Sequence, residues 1–282
     1  MRKSRESSQF ALALTVLLLL PPAAALAQET DSTSASAGTT TTAGGTNTST
    51  RERLYLNFAE DAMIVDEQWW EGWLQYDDSD LADRTVLFGQ AAFQPWQDFE
   101  VGGRVGFGST DTAPGVQDGT GATDLDLWGK YYWNMHNQTT EFSAGAVLTV
   151  PTGDDSAGLG FDAFALKGFG AIRYRLKAVV ITGTIGLQLN DDGSIFGSPD
   201  LDGELSVSAG AGVIVPWSEA FSFVGELSWK TERFDGADDD ARLLAGLNLH
   251  LSNRSMLRPA IGLGLEDGAP DVQIFVGYAY TF

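Results

Sequence analysis

From residue 67 to the end of the chain, apolar and polar residues alternate in short runs separated by turn-rich polar segments. Twelve such stretches can be marked, at roughly 69–76, 84–93, 99–108, 122–133, 139–150, 163–176, 178–190, 203–215, 221–231, 241–251, 257–266 and 271–282. A period of two is the signature of a strand with unlike faces. An even number of strands about ten residues long is what a bacterial transmembrane barrel requires. The pattern therefore predicts an all-β fold, a closed antiparallel transmembrane barrel of about 12 strands in an up-and-down meander, over residues 67–282.

A soluble sandwich also alternates, so the deciding feature is what each face carries. One face holds Phe99, Val101, Val105 and Phe107; Val179, Ile181, Ile185, Leu187 and Leu189; Leu243, Leu247, Leu249 and Leu251. Through all twelve stretches it has no Asp, Glu, Lys or Arg. The other face is mostly Gly, Ser, Thr and Ala, but it carries Glu71, Glu100, Arg104, Asp126, Lys130, Glu141, Lys167, Arg173, Arg175, Glu204, Glu226, Lys230, Arg242, His250 and Arg258. Apolar residues facing hydrocarbon and polar residues lining a lumen fit a barrel. The final stretch, "DVQIFVGYAYTF", keeps the alternation up to Phe282, as a closing strand would. Such a strand is also where the barrel-assembly machinery would engage the chain.

The connections fall into two alternating classes. Short ones are 94–98, 134–138, the turn near Leu176 and Lys177, 216–220 and 252–256; longer, acidic ones are 77–83, 109–124, 151–162, 190–203, 234–241 and 266–271. Short turns face the periplasm in such barrels and long loops face outward. Phe93, Trp96, Phe99, Tyr131, Trp133, Phe142, Tyr174, Trp217, Phe221, Tyr280 and Phe282 gather beside the short turns, where an interfacial girdle belongs.

Ahead of the barrel, residues 1–27 have a charged head, an apolar run and an Ala25-Leu26-Ala27 cleavage site, which marks a signal peptide and export to the outer membrane. Residues 28–50 are a Ser/Thr/Gly-rich linker too polar to fold. Residues 51–66, "RERLYLNFAEDAMIVD", regain apolar residues without a clear period. A short helix, an extra strand, a periplasmic element and a plug folded back into the lumen all remain open for them. Loss of a leader carrying Arg2, Lys3, Arg5 and Glu6, net +2, moves the formal charge from −21 to −23. So acidic a chain lacks the basic patches that nucleic acid requires. With no cysteine there is no disulfide framework. Two histidines make no metal-binding cluster, and no cofactor motif is present.

The stretch "LTVPTGDDSAGLGFDAFALK" resembles the signature of the outer-membrane transporter family named for the meta-pathway of phenol degradation. The matching positions are Pro151, Thr152, Gly153, Asp154, Gly158 and Gly160, and "GATDLDLWGKYYW" is similar to the same family's Gly/Asp-led strand. The likeness covers about the central third of the chain, and "LGFDAF" departs from the usual small-residue continuation. It implies passage of small compounds, hydrophobic or aromatic ones among them.

Three functions follow. The first is a passive channel or transporter for small solutes, through a lumen roughly 24 Å across at the backbone. There the inward charges would form cross-lumen pairs that set selectivity or brace a closed barrel. The second is a structural or adhesive protein acting through a rim of Asp77, Asp78, Asp80, Asp191, Asp192, Asp238, Asp239 and Asp240. That rim would contact lipopolysaccharide and disfavour anions at the mouth. The third is an outer-membrane phospholipase using His250 and Ser252 of "HLSNRS". Against it stand the short-turn position, an inward His250 and the lack of an orienting Asn on the next strand. The chain is read as no enzyme.

Overall fold

The computed structural model describes residues 52–65, 68–80, 82–112, 118–135, 139–196 and 198–282. The stretches expected to be a signal peptide and a linker, Arg51 and His136 lie outside them. The strands are β1 (Trp69–Asp78), β2 (Ala82–Trp96), β3 (Phe99–Thr112), β4 (Gly119–Ala122), β5 (Leu125–Asn134), β6 (Thr140–Val150), β7 (Ala165–Arg175) and β8 (Val180–Asn190). They continue as β9 (Gly193–Ile195), β10 (Ser198–Leu201), β11 (Leu205–Pro216), β12 (Phe221–Lys230), β13 (Asp240–His250), β14 (Ser255–Gly264) and β15 (Val272–Thr281).

Twelve of them form one closed antiparallel barrel in sequence order, because β1 pairs with both β2 and β15. β4 folds back on β3, while β9 and β10 make a separate hairpin. Closure leaves no unpaired edge in hydrocarbon, where each free backbone group would cost several kcal/mol. Facing explains the register. Along β8, Ile185 is 71% exposed while its neighbour Thr184 is 6% exposed. A slip of one residue would exchange the two faces of that strand.

Several strands run past the expected ends. β3 reaches Thr112, and β1 and β2 are joined by residues 79–81 alone, so the long loop expected at 77–83 is a tight turn. The exterior is apolar, with Leu87, Leu127, Leu166, Leu187, Leu227 and Leu263 all exposed. Beside the short turns its aromatic rings pack on one another: Trp96 stacks on Phe99 at 4.7 Å, Trp133 on Phe142 at 5.9 Å, and Tyr280 meets Phe282 at 5.2 Å. Amphipathic rings at that level suit a membrane interface.

Residues 52–65 form neither helix nor strand. They lie inside the barrel, against the inward face at the short-turn end. Small wall residues make the room. A Cβ on Gly210 would come within 2.8 Å of Asn57, one on Gly212 within 2.8 Å of Leu54, and one on Gly246 within 2.8 Å of Tyr55.

Candidate functional site

An irregular segment inside a barrel carries backbone N–H and C=O groups that no ladder satisfies, and each needs a partner. The inward charges supply them. Glu226 of β12 accepts the backbone N–H groups of Tyr55, Leu56 (3.0 Å) and Asn57 (3.1 Å). Arg258 of β14 donates to the carbonyls of Arg53 (2.9 Å) and Leu54 (2.8 Å) and is itself held by Glu71 at 2.6 Å. Glu100 of β3 takes Arg53 (3.0 Å), the Val65 N–H (2.7 Å) and the Trp128 indole (3.0 Å), with Lys130 3.2 Å away. Arg173 of β7 pairs with Asp61 at 2.6 Å and donates to the Glu52 carbonyl at 3.0 Å.

Glu52 completes the set, bound by His250 (2.9 Å), Asn248 (2.9 Å) and Ser222 (2.5 Å). Burial pushes its carboxyl upward, but the hydrogen bonds from His250, Ser222 and Asn248 outweigh it and hold the group below its usual 4.5. Apolar side chains of the segment fill what remains. Phe58 and Val65 pack with Trp69, Trp128 and Met256, and Leu54 packs with Val180, Ile214 and Val224.

The expected cross-lumen pairs are not what forms. Wall charges pair along a strand or with nearby strands: Arg104 with Asp126 (2.6 Å), Arg175 with Glu141 (2.9 Å), and Arg242 with Asp240 of its own strand. Contacts across the lumen run through residues 52–65 instead, including Lys167 to Glu60 at 2.7 Å. A lumen of twelve strands is too wide for two side chains to span, so a third chain segment bridges it. Two expected lumen residues differ from the rest. Glu204 is exposed and stands just ahead of β11. Lys230 faces inward but makes no hydrogen bond or ion pair among the described residues. The rim is also less acidic than its sequence suggests, because Asp77 is buried between Gln75, Gln273 and Arg84, and Asp240 is engaged by Arg242.

His250 and Ser252 do not form a pair. His250 binds Glu52 inside the barrel, while the Ser252 hydroxyl sits 2.8 Å from that of Ser255 in the exposed turn.

On the long-loop side, the two stretches singled out in the sequence dock on each other. Asp124 of "GATDLD" accepts the N–H groups of Gly153 (3.0 Å) and Phe161 (3.2 Å), and the Asp154 N–H donates to Ala122 at 3.0 Å. Burial raises the Asp124 carboxyl above its ordinary value, partly offset by those two N–H groups. The Asp154 carboxylate accepts Ser156 (2.6 Å) and the Ala157 N–H (3.1 Å) to close the turn. Gly158 follows at φ 66°, a left-handed conformation in which a Cβ would also strike Phe196. Pro151 and Thr152 lead from β6 into this loop, which carries Leu159 inward against Val86 and Ala157.

Beneath this loop and above residues 55–60 lies a cavity of about 430 Å³. Trp73, Phe88, Trp128 and Phe275 line one side, with Trp73 and Phe88 stacked at 4.9 Å. Lys167, Lys230 and Arg242 line the other, and Arg233 reaches in from the β12–β13 loop. A plug was one of the alternatives left open for residues 51–66, but none of those residues was named as a site residue, and Arg233 was missed. Charge density and regained apolar residues are all the segment shows in the sequence, and a solvated segment shows the first equally.

No family model matches the chain, and no curated protein matches it in sequence. Solved structures resemble it. An outer membrane channel from Pseudomonas putida F1 superposes with a TM-score of 0.66 at 16% identity, covering 79% of this chain and 97% of that one. The NanC porin matches with a TM-score of 0.53 at 9% identity, over 76% of this chain and 100% of its own. The KdgM porin matches at 0.51 and 9%, over 75% and 99%. At such identities the likeness is one of fold, that of outer-membrane barrels.

Proposed function

We propose that this chain is an outer-membrane channel for small solutes, closed at rest by residues 52–65. One observation carries the reading: an uncharged outer wall encloses a lumen that is filled in its short-turn half and open in its long-loop half. A wall of exposed Leu, Ile and Phe between aromatic belts suits hydrocarbon, and the barrel neighbours described as channels and porins support the same setting. With the short turns in the periplasm, the long loops meet lipopolysaccharide. The filler is held by non-covalent contacts, which are hydrogen bonds, ion pairs and apolar packing. It can therefore leave without unfolding the wall.

Lumen side chains then act in two ways. Glu71, Glu100, Lys130, Glu141, Arg173, Arg175, Glu226, His250 and Arg258 hold the segment or its holders. Arg104, Asp126, Lys167, Lys230 and Arg242 meet the solute. The resemblance to the phenol meta-pathway transporters supports hydrophobic or aromatic solutes, as does the Trp73–Phe88 wall. Planar-bilayer recording of the refolded mature chain tests the proposal. The intact protein is expected to be mostly silent, and a variant lacking residues 52–65 to show steady, larger openings. A folded deletion variant that carries no current overturns it.

A further inference from the structure

The cavity on the long-loop side is not electrically balanced. Five of its cationic side chains have a carboxylate partner: Arg84 with Asp77, Arg104 with Asp126, Lys167 with Glu60, Arg242 with Asp240, and Arg258 with Glu71. Neither Lys230 nor Arg233 makes a direct ion pair among the described residues, although Asp240 lies near the first and Asp124 and Asp126 lie near the second. The carboxylate of Asp240, opposite Lys230 in the β12–β13 register, is already taken by Arg242. Arg233 rests over the rings of Phe161 (4.3 Å) and Phe234 (5.2 Å), donates to the Ala163 carbonyl at 3.4 Å, and leaves a buried Nε without a partner. A chain with a formal charge of −21 thus keeps two cations without a direct ion pair in one cavity. Carboxylates are abundant in it, so these two positions stand out as places where a direct anionic contact is still missing.

Across the cavity the wall has the opposite character. Trp73 and Phe88 present a stacked pair on β1 and β2, and Phe275 follows on β15. Around the ring of strands, β13, β14, β15 and β1 separate β12 from β2. The space between them, about 430 Å³, is within the roughly 300–1,000 Å³ range of small-molecule sites. We infer that the cavity binds a small amphipathic organic anion, an aromatic carboxylate, with its carboxylate on Lys230 and Arg233 and its ring against Trp73 and Phe88. This names the solute class of the channel proposed above and rests on that reading. The exposed loop carboxylates act on arrival only. They repel an anion over about a Debye length, roughly 8 Å at physiological salt, and slow its entry without weakening the contacts made inside.

Benzoate is the probe, with benzyl alcohol as its neutral counterpart, and binding to the refolded full mature chain is read by calorimetry and by tryptophan fluorescence. Benzoate is expected to bind roughly tenfold or more tightly than benzyl alcohol, the margin of charge-assisted hydrogen bonds. The double substitution Lys230→Gln with Arg233→Gln should remove that margin and leave benzyl alcohol unaffected, while Trp73→Ala should weaken both. Should the double variant misfold, added salt on the unaltered protein replaces it, speeding benzoate association while lowering its affinity. Equal affinity for the two probes, or a benzoate margin untouched by both the double variant and salt, overturns the inference. Those results leave the channel reading standing. Benzoate binding of the expected strength in a protein whose deletion variant carries no current would instead keep this site and remove the channel.

Discussion

The two halves of this lumen are built from the same residue types and end in opposite states. In the short-turn half, Glu100, Lys130, Arg173, Glu226 and Arg258 are all buried, and each has its partner supplied by residues 52–65 or by a neighbour on the wall. In the long-loop half, Arg84 and Arg104 keep about a third of their side-chain surface exposed, and Lys230 and Arg233 make no direct ion pair among the described residues. Burying a charge demands a partner, whereas water can serve where the cavity remains wet. One half therefore holds a piece of its own chain, and the other leaves a cavity of about 430 Å³.

Perturbing the filled half should have the largest effect. Removing residues 52–65 should raise single-channel conductance several-fold and remove resting closure, as read in a planar bilayer. Arg173→Met comes next. It strands Asp61 in a dry site, at a cost of about 3–5 kcal/mol to the docked state. Protease cleavage within 52–65 should then appear while barrel strands stay protected, and cleavage no faster than in the unaltered chain would contradict the anchoring role.

On the outer wall, Ile185→Arg exposes a charge to hydrocarbon near mid-strand, expected to lower folding stability in lipid by about 2–4 kcal/mol. Urea titration in bilayers measures it, and a neutral result would mean that face is not in lipid.

Acid should loosen the filled half more gently. The Glu52 carboxyl is held below its usual 4.5, so its contribution is complete above that value and is lost as pH falls through the lower, folded value. Open occupancy should accordingly rise as pH falls below 4.5, and Glu52→Gln should flatten that dependence. In the open half, Asp124→Ala frees the Gly153 and Phe161 N–H groups, worth about 1–3 kcal/mol to the loop alone. The expected readout is faster hydrogen exchange over 153–161 with unchanged barrel stability.

Much of the wall was legible in the sequence. A strand's faces are set by neighbours two residues apart, so Ile181, Ile185 and Leu187 declare the outside of β8 without reference to any other strand. The same logic placed most of the inward charges, including Glu100, Arg173 and Glu226. It failed at Glu204, which precedes its strand, and at Asp77 and Asp240, whose acidity the fold turns inward or pairs. The course of residues 52–65 was not legible at all. A segment without period can satisfy its backbone in water or on distant carboxylates, and local pattern does not distinguish the two.

By itself, then, the sequence determined the alternation, the uncharged face and hence a closed barrel, because those depend on residues adjacent in the chain. The tertiary structure alone decided that Glu226 would bind the backbone at Tyr55–Asn57, that Asp124 would hold Gly153, and that Lys230 and Arg233 would make no direct ion pair among the described residues. Each of those outcomes turns on which groups closure brings together across the lumen, over separations of up to 171 residues. No repeat along the chain records such meetings.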